Sequence, residues 1–140
     1  MLTDLIARLS ADSDISNLTS TRIRLNRAAQ GDALPRIVIH LIGSDHEHHL
    51  TAATGFVQAR VQIDCNASYP YIAENLAEFV RQSLDGFRGL MGSTFISTLH
   101  LDDERMLRTP PNAGADDSEG VDTKQMDFIV GWRVPVPTFS

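Results

Sequence analysis

The sequence predicts an α+β domain: a mainly antiparallel sheet of about five strands with two helices packed on one side, in the order α-β-β-β-α-β-β. Three observations carry this. Apolar and polar residues alternate through 55–66 and again through 124–134, the period of a half-buried strand. A stripe at helical spacing runs through 70–84. A β-branched run follows Pro35, where a helix is hard to seat.

Taken in order, Leu2, Leu5, Ile6 and Leu9 share one face of a short first helix, with Thr3 or Asp4 as its cap. Residues 10–21, rich in Ser, Asp, Asn and Thr, form a connection that tucks Ile15 and Leu18 onto the core. Arg22-Ile-Arg-Leu25 is a brief strand, and a loop around Gly31 leads to a second strand over 35–44. In the third, 55–66, Val57, Ala59, Val61, Ile63 and Cys65 face the core while Gln58, Arg60, Gln62 and Asp64 face away. Between them, 45–54 is a polar hairpin loop.

The main helix starts at Ser68 or Tyr69 with Pro70 in its first turn. It presents Ile72, Leu76, Phe79, Val80 and Leu84 inward and closes at Gly86, before a tight turn over 86–92. A strand from Ser93 to Leu101, reaching toward Met106, alternates Phe95, Ser97 and Leu99 with Thr94, Ile96 and Thr98. Residues 107–120 form a long acidic loop, and the last strand runs from about Lys124 until Pro135 and Pro137 stop its pairing.

With 140 residues and 42% hydrophobic content, the chain suits one domain over 1–140 and no membrane span. The N-terminus has an acid where an export signal needs positive charge, and the single cysteine cannot form an internal disulfide, so assembly in a reducing cytoplasm is expected. A net charge of −6 argues against sequence-blind binding to nucleic acid. The charge is unevenly spread. Arg22, Arg24, Arg27 and Arg36 outweigh Asp32 in one segment, a local +3. In 102–122, Asp102, Asp103, Glu104, Asp116, Asp117, Glu119 and Asp122 outweigh Arg105 and Arg108, a local −5. Eleven of the twelve basic residues are arginine, the cation favoured at ordered contacts. The candidate interface residues are therefore Arg22, Arg24, Arg27, Arg36, Asp102, Asp103, Glu104, Arg105, Asp116 and Asp117.

Chemical sites are harder to find. Asp45-His46-Glu47-His48-His49 offers imidazoles for a transition metal, which makes a metal-binding module or metal-dependent enzyme the alternative function. Its spacing matches no zinc motif, however, and a solvated hairpin tip is the simpler reading. Gly86, Gly89 and Gly92 lead out of a helix, the wrong way round for a phosphate loop. Cys65 falls on the apolar face of its strand, as a small buried hydrophobe does. No catalytic residue, metal ligand or cofactor site is expected.

Several segments together resemble the tail-completion family of long-tailed bacteriophages: Arg22-Ile-Arg-Leu, Gln30-Gly-Asp-Ala-Leu-Pro-Arg-Ile-Val, Ala59-Arg-Val-Gln-Ile-Asp-Cys, Ile72-Ala-Glu-Asn-Leu-Ala-Glu-Phe-Val, Asp102-Asp-Glu-Arg and the closing hydrophobic strand. The resemblance spans almost the whole chain. It implies a tail terminator-like fold, no catalytic residues, and a structural virion protein that forms a homo-oligomeric, hexameric ring at the head–tail junction. It further implies a tail tube protein and a head connector or stopper protein as partners, with genomic DNA passing through the lumen. Gene transfer agents use similar parts.

Overall fold

The computed structural model describes residues 1–29, 31–48, 53–110 and 120–133. Three helices and six strands follow one another as α1 (Leu2–Ala11), α2 (Ser13–Thr19), β1 (Ile23–Leu25), β2 (Arg36–His48), β3 (Ala53–Ala67), α3 (Pro70–Leu84), β4 (Gly89–Met91), β5 (Thr94–Thr109) and β6 (Val121–Arg133). The strands make one sheet in the order β1-β2-β3-β6-β5-β4. It is mixed, because β1 runs parallel to β2 while every other neighbouring pair is antiparallel. The α+β class holds, with one more helix and one more strand than the sequence predicts.

The extra helix is α2. Asp12 leaves α1 with extended backbone and its carboxylate accepts hydrogen bonds from the N–H groups of Asp14 (2.9 Å) and Ile15 (3.3 Å), starting a seven-residue helix where a connection was expected. Ile15 is buried by it, and Leu18 packs on the core. Such a short helix has no long apolar stripe, so its polar surface reads as loop. Asp12→Ala is expected to lower unfolding free energy by about 1 kcal/mol, measurable as a fall in the urea midpoint with an unchanged slope. At the start of α1 the expected cap is absent: Met1 occupies that position, and Asp4 instead accepts a hydrogen bond from the Thr94 hydroxyl on β5.

The core lies between the three helices and one face of the sheet. Val57, Ala59, Val61, Ile63 and Cys65 of β3 are all buried, as are Met126, Phe128 and Val130 of β6. From α3, Leu76, Val80 and Leu84 meet them, joined by Ala73 and Ala77, while Ile72 and Phe79 sit half-buried at the margin. The stripe is thus centred on smaller residues than its bulk suggests, which lets the helix approach the strands. Pro70 takes the first helical position and Tyr69 the cap. Beyond the last turn, Gly86 adopts a φ of 81° and its N–H donates to the Leu99 carbonyl (2.8 Å), tying the helix end to β5.

The segment expected to be only a cap and a turn contains the edge strand β4, joined to β5 by a two-residue turn at Gly92 and Ser93. Gly92 has a φ of 60°, and a Cβ there would lie 2.2 Å from Asp4 Oδ1, so both conformation and space require glycine.

Strand lengths differ most from expectation at the hairpins. β2 continues to His48 and β3 begins at Ala53, leaving 49–52, outside the described residues, in place of a loop over 45–54. β5 extends to Thr109, so the 107–120 loop begins later, and 111–119 lie outside the described residues, as do Pro135 and Pro137. In register, the β2–β3 ladder runs past Arg133 to His48 and Ala53, while the β5–β6 ladder runs past Ala67 to Thr109 and Val121. The two hairpins therefore leave the sheet at opposite ends. Among the described residues, no helix is long and apolar enough to cross a membrane.

Candidate interface

The face of the sheet turned away from the helices gathers the charges. Its outward positions come from the polar half of each alternating strand, and two β-bulges in β5 decide which side chains join them. Between Leu101 and Asp103 the register slips by one residue, so Asp102 is extra, and both Asp102 and Asp103 engage partners on this face. Arg60 of β3 reaches across β6 to Asp102 (2.7 Å) and also contacts Asp127 (3.3 Å). Arg105 pairs with Asp103 (3.1 Å) and lies 3.9 Å from Asp127. Asp103 and Asp127 stand directly opposite each other in the ladder, a like-charge pair made tolerable by Arg105, which contacts both, and by Arg60, which contacts Asp127. The Asp102 hydrogen bond raises the pKa of Arg60 above its ordinary value. Asp127 Oδ1 is buried with no hydrogen bond among the described residues, while Oδ2 receives Arg60.

The basic segment is largely spent inside the molecule. Arg22 donates to the carbonyls of Pro35 (3.1 Å) and Leu18 (3.2 Å), fastening β1 to its flanks. Arg24 makes a two-pronged contact with Asp32 at 3.0 and 3.1 Å. Arg36 donates to the Asp32 carbonyl at 3.4 Å. Arg27 is exposed and has no ion pair among the described residues. Glu104 lies on the helix side, 4.0 Å from Lys124, which also holds Glu74 of α3 (3.2 Å). Asp116 and Asp117 lie outside the described residues. The structure thus brings Asp102, Asp103 and Arg105 into one network and keeps the arginines of 22–36 at the far edge of the sheet. The four intervening strand steps amount to roughly 19 Å.

Asp32 shows how these contacts respond to pH. The Arg24 hydrogen bond, outweighing the opposing effect of burial, holds its carboxyl below the usual range. A lowered folded-state pKa means that the contact stabilises above the unfolded value of about 4 and is lost as pH falls through the folded value. Arg24→Ala is expected to move the Asp32 titration upward toward that ordinary value, read by carboxyl-carbon NMR, with the Glu78 titration as an unaffected reference.

Arg60 and Asp127 on the outer face, and Lys124 on the helix side, are charge-network residues that sequence reasoning did not single out. Their polar alternation is visible in the strands, but which acid faces which arginine depends on register across non-consecutive strands. Also missed are the exposed apolar side chains at the sheet edge: Leu90 (70% exposed) on β4 stands opposite Phe95 (44%) on β5. Tyr69 and Tyr71 are exposed too, and their rings stack with centroids 5.8 Å apart.

The chemical candidates fare differently. Cys65 is fully buried, and burial raises its thiol pKa well above the ordinary value, which leaves it unreactive. His46 and His48 belong to β2, where their backbones pair with Val57 and Ala53 across a register shift, and His49 lies outside the described residues. Among the described residues, no group of three or more His, Cys, Asp or Glu is placed to hold a metal ion.

No curated protein matches the chain. Among solved structures, a chain from "Virion of native gene transfer agent (GTA) particle" is similar in fold, with a TM-score of 0.59 at 14% identity, covering 93% of this chain and 92% of that one. The family model described as "Tail completion protein gp17" matches residues 3–116, most of the chain. The protein therefore belongs to the tail completion protein gp17 family.

Proposed function

We propose that this protein is a non-enzymatic structural component of a phage or phage-like particle, acting as one domain over 1–140. In this reading it forms a hexameric ring at the head–tail junction, completes the tail tube and joins it to the head connector. The family match supports the virion role. The observation that supports a place between tube and head is the layout of the sheet: its two hairpins leave at opposite ends, so one end of each copy is free to face the tube while the other faces the head. The interface candidates Asp102, Asp103 and Arg105 lie on the charged face between them. With a net charge of −6, such a ring lets genomic DNA pass through its lumen without holding it.

Native mass spectrometry and negative-stain imaging of the purified chain, alone and with its tail tube protein, test this. Closed multimers of one copy number, seated on the tube end, are expected. A chain that stays monomeric beside assembled tube removes the reading.

A further inference from the structure

Among the described residues the sheet ends at β1 on one side and β4 on the other, each three residues long and with no further strand beside it. A terminal strand presents backbone donors and acceptors that can pair with another chain, and natural proteins guard against this with charge or proline. On β1 the charge of Arg24 is answered by Asp32, and each edge exposes a leucine, Leu25 (40%) on β1 and Leu90 (70%) on β4, with Phe95 enlarging the apolar surface beside Leu90.

Strand direction limits how copies can meet. Counting through the ladders, one parallel pair and four antiparallel pairs leave β1 and β4 pointing the same way. A rotation about an axis along the strands preserves direction, so β4 of one copy meets β1 of the next in parallel, and the pattern repeats until the ring closes. A two-fold dimer would instead bring like edges together, antiparallel.

The parallel arrangement also aligns charges. It sets the C-terminal end of β1, followed by Asn26 and the exposed Arg27, beside the C-terminal end of β4, followed by Gly92. Asp4 lies against Gly92, and together with Asp12 and Leu90 they border a groove of about 470 Å³. Arg8, the cation of this groove, is occupied by the Ser83 carbonyl (2.9 Å) and the Phe87 ring (4.1 Å).

We propose that a second copy of this chain fills that groove: β4 of one subunit pairs in parallel with β1 of the next, and Arg27 of the incoming copy meets Asp4. This rests on the ring reading above and names its contact. In a Leu25→Cys/Leu90→Cys double variant, a short bis-maleimide is expected to give a ladder of covalent multimers absent from either single variant, since buried Cys65 stays unreactive. Arg27→Asp is expected to weaken association about tenfold, and adding Asp4→Arg to restore most of it; circular dichroism confirms that each variant folds. Dimers from Leu90→Cys alone would show like edges meeting and overturn the proposal. Rings seen by mass without double-variant cross-links would overturn it while leaving the ring reading intact. An unmodified chain that stays monomeric beside its tube would remove both.

Discussion

Phe128→Ala is expected to lower the unfolding free energy by about 3–5 kcal/mol and the melting temperature by roughly 10–17 °C. Phe128 is the largest of the fully buried side chains and sits in β6, the strand of the β5–β6 hairpin that pairs with β3 of the other long hairpin. Its ladder partners are Val61 on β3 and Leu101 on β5, so its ring occupies the centre of the sheet's inner face, beneath the helices. Removing it leaves a cavity that rigid strands on both sides cannot close. A loss of this size is a large share of the 5–15 kcal/mol typical of a domain. Phe128→Leu, which keeps most of the volume, is expected to cost less than half as much. Urea unfolding followed by circular dichroism gives both values, and equal midpoints for wild type and Phe128→Ala would mean that the core does not depend on this ring.

The sequence made much of that core legible, because β3 and α3 bury one face each and their periodicity reports it directly. Val57 through Cys65 alternate without interruption and are all buried. Periodicity failed where a strand changes phase. In β5, Ile96 and Leu99 both point inward although they are three apart, since the register slips between Ile96 and Thr98. Phe95, which shares the sequence alternation of Leu99, is left exposed at the edge while Leu99 is buried. A bulge is set by what the neighbouring strand can accommodate, and that strand, β6, lies some thirty residues further along the chain.

The candidate interface was legible to a similar depth. Composition marked 102–105 as charged and the family resemblance marked them as part of its outline, yet local charge could not say that Asp102 is answered by Arg60, forty-two positions away. The same limit applies to the arginines of 22–36. Counted along the sequence they form a basic patch, but Arg22 and Arg24 are occupied by a carbonyl pair and by Asp32. Net charge of a segment describes its supply of ionic groups; only the fold determines how many are left for a partner. Arg27 is the one that reaches outward with no ion pair among the described residues.

The β5 bulge also has an energetic signature on the outer face. It sets Thr98 opposite Gly131 of β6, and the Phe56 ring of β3 lies over the same glycine. A Cβ at position 131 would meet Thr98 Oγ1 at 2.6 Å and Phe56 Cζ at 2.9 Å, closer than real contacts allow. The Phe56 ring can swing aside, but Thr98 is β-branched and has little freedom. Gly131→Ala is therefore expected to destabilise by about 1–3 kcal/mol, even though alanine normally suits an extended backbone better than glycine does. Thr98 is exposed, so Thr98→Ala alone should cost little, and combining the two should recover at least about 0.5 kcal/mol relative to their sum. A double-mutant cycle by urea unfolding measures that coupling. Additive losses would mean that the Phe56 ring alone excludes a side chain from this position, and a stabilising Gly131→Ala would mean that the bulge does not hold Thr98 against β6 at all.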